Sequence, residues 1–450
     1  MRVQLEEMLL ARERRSDFQR ALSEKYHTPL ICLTMNIAGE QKRFESADRL
    51  FAAGVRLIDE QLRRHHVAPV FQTVCDYNTG LEGYWAVDFP ADAIKKRMVE
   101  IEDAFEAARL FDIDVLNTEG EKLSRSDMGA PPRRCLICGD VAAACARSRR
   151  HGLDAVEQRT RQLIADYLDN AAADRIAGLA VKSLLYEVCV TPKPGLVDRA
   201  NAGAHRDMDI FTFVDSATAL TPYFKACALK GVRSAGLTPA QLFASLRYVG
   251  QCAEADMFAA TRGVNTHKGA IYSAGILCAA AGRLWAAGGM TPEQLCALCA
   301  EMTGPEMADD LKKIQESGAE TTGERLWTQY GIAGIRGEVA SGFLSVRGIS
   351  LPVFQALLAE GYSLNDAGAI ALLYLMANAT DTNVISRAGI ARQKALQASL
   401  RALLEETPRP KPSVLKALDA DFIAENISPG GCADLLAVTF MLHFLCDSMD

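Results

Sequence analysis

The sequence predicts two domains of different class: an α+β domain with a mixed sheet over residues 1–165, and an all-α helical bundle over residues 166–450. Three observations lead there. A chain of 450 residues is too long for one ordinary core. Short apolar, partly β-branched runs sit between helical stretches in the first third, the alternation of an α+β or α/β domain. Past residue 166 helical spacing repeats almost without interruption, and no strand alternation is convincing.

Composition narrows the function classes. The chain is 49% hydrophobic and 23% charged, as ordinary globular proteins are. Its net charge of -7 argues against duplex nucleic acid as partner. The start of the chain carries no apolar signal core, and its 13 cysteines read as reduced thiols, so a cytoplasmic protein is expected. The most apolar runs, 369–380 and 435–446, fall short of the ~20 residues that span a bilayer, so no membrane is expected.

In the first segment the spacing predicts a charged helix over 1–26, a strand over 29–35 and an amphipathic helix over 44–65. Strands over 68–75 and 81–89 flank the turn-like 76–80, then come a helix over 91–108 and a strand over 109–116. Asp112 and Asp114 stand two apart on that last strand and share a face, with Ile113 and Val115 on the other. Paired carboxylates repel unless a cation lies between them. Mg²⁺ takes oxygen ligands and bridges substrate phosphates, although two solvated aspartates on an edge strand read equally simply. Arg125, Arg133, Arg134, Arg147, Arg149 and Arg150 follow, either as phosphate forks or as a solvated face. Cys135 and Cys138 form one CxxC pair. Cys145 and His151 sit at no standard zinc spacing, and structural zinc wants four ligands, so reduced structural thiols are expected there.

The segment carries Ala11-Arg-Glu-Arg14 with Gln19, Pro29-Leu-Ile-Cys-Leu-Thr-Met-Asn36-Ile-Ala-Gly39, Gly54 and Thr79-Gly80. It continues with Arg109-Leu-Phe-Asp112-Ile-Asp114-Val, Lys122-Leu-Ser-Arg125, Pro131-Pro-Arg-Arg134-Cys-Leu-Ile-Cys138 and Cys145-Ala-Arg147-Ser-Arg149. On these residues it resembles the phosphoribosyl-dephospho-coenzyme A transferase family of citrate lyase, the holo-citrate lyase synthases. Glu40 stands where that pattern has proline. The resemblance implies a nucleotidyltransferase-like domain. It would transfer a phosphoribosyl-dephospho-coenzyme A group to a serine of the citrate lyase acyl carrier (gamma) subunit, with loss of pyrophosphate. Asp112 and Asp114 are then the catalytic and metal-binding candidates, and Arg109, Arg133, Arg134 and Arg147 the phosphate-binding ones.

In the second segment helical periods cover 175–190, 211–229, 241–260, 271–287, 293–302, 364–380 and 432–446. Thr238-Pro-Ala-Gln241 and Thr291-Pro-Glu-Gln294 each give an N-cap, a proline at the first helical position and a capping-box glutamine. Residues 401–411 read as a surface connection, and the stretch near 150–170 as a charged linker. Polar clusters fall between the helices: 187–209, Glu254, 261–269, 331–338, 381–387 and 428–434. Helix N-termini and Gly-rich turns present free N–H groups to phosphates, and aspartates offer hard oxygen ligands. Plain helix caps give the same residues. Lys268 beside Gly269 at a helix start suits a phosphate. Lys193 between two prolines is either an aimed cation or a structural corner. His267 is either an acid–base group or a histidine bonded to backbone.

The motifs in order are Glu187-Val-Cys-Val-Thr-Pro-Lys-Pro-Gly-Leu-Val-Asp198-Arg, Gly203-Ala-His-Arg-Asp-Met-Asp209 with Ser216, and Gly263-Val-Asn-Thr-His-Lys-Gly269. Gly334-Ile-Arg-Gly-Glu338, Asp381-Thr-Asn-Val384 and Ser428-Pro-Gly-Gly-Cys-Ala-Asp-Leu-Leu436 follow. On these the segment resembles the triphosphoribosyl-dephospho-coenzyme A synthase family, with Cys432 for a commoner serine and Ala388 for glycine. The implied reaction joins ATP to 3′-dephospho-coenzyme A through a ribose-to-ribose bond and releases adenine. Breaking an N-glycosidic bond puts positive charge on the ribose, which a carboxylate stabilises. Asp198, Asp207, Asp209 and Glu254 are candidates for metal binding, charge stabilisation or base catalysis, and Asp381 for a metal ligand. Lys193, Lys268 and Arg336 would hold phosphates, with Arg199, Asn265, Asn383 and Arg387 as further substrate contacts. His205 or His267 would act as acid or base, because histidine titrates near neutrality.

Together the two halves read as a bifunctional transferase that makes and attaches one prosthetic group, with Mg²⁺ as cofactor. A second reading is a Mg²⁺-dependent ribosyl hydrolase joined to a non-catalytic domain that docks the carrier protein.

Overall fold

The computed structural model describes residues 2–317 and 322–447, without the side chains of residues 306 and 308–324. The chain divides into two compact units, Met1–Leu168 and Asp169–Asp450. The stretch near 150–170, expected to be a linker, is helical. The helix Leu153–Cys189 gives Leu163 and Ile164 to the first core and Ala173, Ile176 and Ala177 to the second.

The first unit holds a five-stranded sheet of β1 (Leu30–Met35), β2 (Pro69–Tyr77), β3 (Gly80–Val87), β4 (Phe111–Leu116) and β5 (Lys122–Leu123), in the order β2-β3-β1-β4-β5. Every neighbouring pair is antiparallel, so the expected mixed sheet is corrected. The reason lies in the crossovers. Helix Glu45–Arg64 links β1 to β2, and helix Ala91–Asp103 links β3 to β4. Each crossover joins strands of the same direction but skips one place, and an antiparallel strand fills the gap. This is the split β-α-β arrangement.

The period-2 alternation of β1 sorts its residues onto two faces. Ile31 and Leu33 join Trp85, Val87, Ile113 and Val115 under the helices Glu45–Arg64 and Ala91–Asp103, in a core with Leu50, Phe51, Ile94 and Met98. Leu30 and Cys32 face the other way with Tyr84, Ala86 and Leu116, covered by Phe18 and Leu22 of the helix Leu5–Tyr26. Asp114 and Asp112 lie opposite Cys32 and Thr34 in the β1–β4 register and belong to this second face.

Among its described residues the second unit has helices joined by loops and no strand. Its centre is Lys268–Ala287, whose side chains from Ala270 to Gly282 are almost all buried. The helices Thr221–Val232, Pro239–Ala260, Pro292–Ser317 and Gly430–Asp447 pack against it. Gly231 and Gly282 permit a close crossing with Thr221–Val232: a Cβ on Gly231 would lie 2.0 Å from the Ala279 carbonyl oxygen, and one on Gly282 2.1 Å from that of Ala228. The apolar runs read from the sequence understate two of these helices. Lys268–Ala287 and Gly430–Asp447 are long and apolar enough to cross a membrane, but 67% and 61% of their most apolar windows are buried inside the protein.

Two glycine substitutions separate packing from propensity. Gly282→Ala should destabilise by about 1–3 kcal/mol, because its methyl meets backbone. Gly178→Ala, inside the helix Leu153–Cys189 with open space beside it, should be neutral or stabilise by up to about 1 kcal/mol. Urea unfolding followed by circular dichroism checks both signs.

Candidate functional site

The second unit contains a cavity of about 1050 Å³. Its walls come from the 187–209 loop, the helix Pro239–Ala260 and the starts of Lys268–Ala287, Thr382–Glu406 and Gly430–Asp447. Lys193, Arg247, Lys268, Arg336 and Arg387 meet Glu187, Asp207, Glu254, Glu338 and Asp434 on its lining.

Its floor is an acid–base arrangement. Glu187 lies near the C-terminus of its helix, where the helix dipole disfavours an anion. Lys193 compensates by donating from Nζ to the Glu187 carboxylate, with both side chains buried. Burial pushes the Glu187 carboxyl up while Lys193 pulls it back. Asp434 sits over the start of Lys268–Ala287, so close that a Cβ on Gly269 would lie 1.9 Å from its Oδ2. It accepts the Ala270 N–H, yet desolvation and the like charges of Glu187 and Asp381 hold its carboxyl well above the usual range.

Two histidines line the wall. His267 Nδ1 is 2.7 Å from Ser216 Oγ, which accepts from Thr266 Oγ1 at 2.7 Å. Ser216 Oγ, while accepting from Thr266, can either donate to Nδ1 or accept from it, so the pair fits both ring tautomers. Nε2 is buried without a protein partner. Burial and the Lys193 charge lower the His267 pKa to about 3. His205 Nε2 is 2.8 Å from Ser428 Oγ, and Arg387 Nη2 approaches Nδ1 at 3.4 Å. Burial and Arg387 also push His205 down. The expectation of histidines titrating near neutrality is therefore corrected: His267 is a neutral imidazole at physiological pH.

Glu254 and Lys268 pair at 2.9 Å on the wall. Asn265 Oδ1 accepts the Lys268 N–H at 3.3 Å. Asp207, Arg336 and Asn383 also line the cavity, with Arg336 beside the Tyr272 ring.

Four expected residues are not on the wall. Asp198 is buried in its own loop and accepts from Thr191 Oγ1 and from the N–H groups of Lys193, Ala200 and Asn201. Asp209 is exposed and caps the helix Ile210–Ala219, where the Thr212 donors hold its carboxyl low. Arg199 donates to Asn365 at 2.9 Å on the surface. Asp381 is buried and accepts from Asn383 and Val384 N–H at one oxygen and from Cys432 N–H at the other. The sequence reading passed over Glu187, Asp434, Ser216 and Glu338 as candidates. Asp434 had a signal: it is an acid near the start of a mostly apolar helix.

The first unit has a smaller cavity of about 220 Å³, lined by Arg12, Arg15, Asn36, Lys42, Arg43 and Asp112. Beside it Arg15 donates to the buried Glu82 at 2.9 Å, and Glu82 also accepts from Tyr84. Asp112 is 3.3 Å from Arg133, which also pairs with the buried Glu102. Asp114 pairs with Lys122 at 2.6 Å. The chain itself thus supplies a separate cation to each aspartate, where the sequence reading placed one metal between them. Arg134 and Arg147 are exposed and donate to the Gly139 and Ala143 carbonyls. Arg109 lies half-buried in the short 3₁₀ turn Glu106–Leu110, ahead of β4.

Residues 173–449 match the family of ATP:dephospho-CoA triphosphoribosyl transferases, and residues 3–167 match that of apo-citrate lyase phosphoribosyl-dephospho-CoA transferases. The chain belongs to both families, as a bifunctional citrate lyase maturation transferase. Among relatives, Protein CitXG of Haemophilus influenzae is 36% identical over 98% of this chain and 97% of its own length. Protein CitXG of Leuconostoc mesenteroides is 32% identical over 100% and 98%. A probable 2-(5″-triphosphoribosyl)-3′-dephosphocoenzyme-A synthase of Vibrio cholerae is 43% identical over 60% of this chain and 88% of its own length. Within this family setting, the large cavity lies in the synthase part and Asp112 in the transferase part.

The depressed His267 predicts a specific acid sensitivity. Between pH 6.5 and about 3 the unfolded chain protonates this ring and the folded protein does not, so stability falls as pH falls through that window. At pH 5 the loss is about 2 kcal/mol relative to neutral pH. His267→Gln should remove that much of the difference between the unfolding free energies measured by urea titration at pH 7 and pH 5.

Proposed function

We propose that the large cavity condenses ATP with 3′-dephospho-coenzyme A, and that the face bearing Asp112 hands the product to a carrier protein. The observation that carries the first step is the meeting of Glu187, Asp434 and the neutral His267 with cations and helix N-termini on one wall. Three helix starts and Lys268, Arg336 and Arg387 suit a triphosphate. The 2′-hydroxyl of dephospho-coenzyme A attacks C1′ of the ATP ribose, the C1′–N9 bond breaks, and the hydroxyl proton ends on adenine. Asp434 and Glu187 offset the positive charge on the ribose, and one of them takes the hydroxyl proton. His267 holds the departing adenine through Nε2.

The residues fit Mg²⁺ brought in with ATP better than a protein cage. Asp207, Asp209 and Asp381 do not converge, whereas Asp434 lies among like charges that a cation would relieve. Mg²⁺ commonly uses one or two carboxylates plus substrate phosphates, and when bound it neutralises triphosphate charge.

In the first unit a serine hydroxyl of the citrate lyase acyl carrier subunit attacks the phosphate next to the ribose. A phosphodiester forms and pyrophosphate leaves. We read this unit as nucleotidyltransferase-like in chemistry: Arg12, Arg15, Lys42 and Arg43 bind phosphate oxygens while Arg133 orients Asp112. The free cysteines suit the bacterial cytoplasm, where ATP is plentiful.

Two variants separate the sites. Asp434→Asn should lower adenine release about 100-fold or more while the fold survives. Arg133→Ala should lower carrier labelling to a similar degree and leave adenine release unchanged. Full adenine release by Asp434→Asn, or equal loss of both activities in Arg133→Ala, would overturn the assignment.

A further inference from the structure

The chemistry proposed above leaves one cluster unused. Cys135, Cys138, Cys145 and His151 each offer a ligand atom, and these four atoms lie within 4.8 Å of one another. We propose that they bind one structural zinc ion. The sequence reading set zinc aside because Cys145 and His151 follow the CxxC pair at unfamiliar spacings. The fold corrects that expectation: the short helix Ala142–Ser148 and the turn after it bring both residues back to the pair.

The distances suit a tetrahedral ion. Zn–S bonds of about 2.3 Å and Zn–N bonds of about 2.0 Å give S···S edges of roughly 3.8 Å and S···N edges of roughly 3.5 Å. Cys138 Sγ lies 3.5 Å from Cys145 Sγ and 3.3 Å from His151 Nε2. The donor set is Cys₃His, one of the closed sets of structural zinc. Around the pair the backbone forms a knuckle: Cys135 N–H donates to the Asp140 carbonyl, and Gly139 N–H to that of Cys135. The N–H groups of Ile137 and Cys138 point at the Cys135 sulphur, as in a CxxC knuckle.

The segment needs such a staple. Between the 3₁₀ turn Ser126–Met128 and the helix Leu153–Cys189 it has one short helix and one isolated bridge, Arg134–Val141. Ile137 and Val141 are exposed, so little apolar burial holds it. Arg133 stands two residues before the first cysteine and reaches both Glu102 and Asp112. Zinc would therefore fix the position of Arg133 without touching substrate.

Metal analysis of the purified full-length protein, made without metal-binding tags or chelators, tests this directly. The expected result is about one zinc per chain. Cys138→Ser and Cys145→Ser should lose it, and Cys189→Ser, an exposed thiol of the second unit, should keep it. His151→Cys should retain zinc and His151→Ala should hold it more weakly, a comparison that remains readable if a cysteine variant folds poorly. Cobalt(II) should give the intense visible bands of a tetrahedral thiolate site in the parent and lose them in Cys138→Ser. Carrier labelling should fall with zinc loss while adenine release persists, which also serves as the folding control. Sub-stoichiometric metal after growth and refolding with added zinc, or full zinc content in Cys138→Ser, would overturn the proposal.

Discussion

The second unit depends on one buried carboxylate. Asp381 accepts two N–H groups from the start of its own helix and one from the start of Gly430–Asp447, at 2.8–3.2 Å. A buried anion without partners would be costly. Here the donors are the orphan N–H groups that any helix start must satisfy. The interaction therefore joins two helix N-termini at one point and turns both toward the cavity. Asp434 repeats the device one turn further on, over the start of Lys268–Ala287. Three helix dipoles then present their positive ends to the same space, and the surrounding lysine and arginines add to that field. Burial raises the carboxyls of Glu187, Asp381 and Asp434, and at Asp434 the charges of Glu187 and Asp381 add to that rise, a repulsion that a cation or a cationic ribose would relieve.

The first unit solves a different problem on a thinner scaffold. One face of its sheet is a conventional apolar core, while the other carries Asp112, Asp114, Glu82 and Tyr84 beside the helix Leu5–Tyr26. Polar chemistry is thereby kept on a strand whose reverse face is locked by Ile113 and Val115, which are wholly buried. Glu102 extends the same logic: buried and shifted upward by desolvation, it is tied by Arg125, Arg133 and the Ile113 N–H. Arg133 thus spans a buried anchor and an accessible aspartate.

Much of this was legible in the sequence, for stated reasons. Period-2 alternation in 111–116 places Asp112 and Asp114 together, and their common face follows from strand geometry alone. Thr238 caps its helix through Gln241, as the capping box requires. Most cavity residues lie in the polar clusters, because loops and helix ends are where a helical bundle can place charge. What was not legible depends on long-range placement. The sheet's antiparallel order follows from which position each crossover skips. In one dimension Asp198 reads as a carboxylate for catalysis and Asp381 as a metal ligand; in the fold their oxygens accept nearby backbone N–H groups. His267 looks titratable until its burial beside Lys193 is known. Cys145 and His151 look unrelated to the CxxC pair until a short helix returns them to it.

The central claim is that the large cavity moves a ribosyl group between two nucleotides. It is tested most directly by chromatographic product analysis of the protein incubated with ATP and Mg²⁺, with and without 3′-dephospho-coenzyme A. Free adenine that appears only when both substrates are present, in equal amount with the triphosphoribosyl product, is the predicted result. Adenine and ribose triphosphate from ATP alone would mean hydrolysis. ADP or AMP in place of adenine would mean phosphoryl chemistry, and either result would contradict the account.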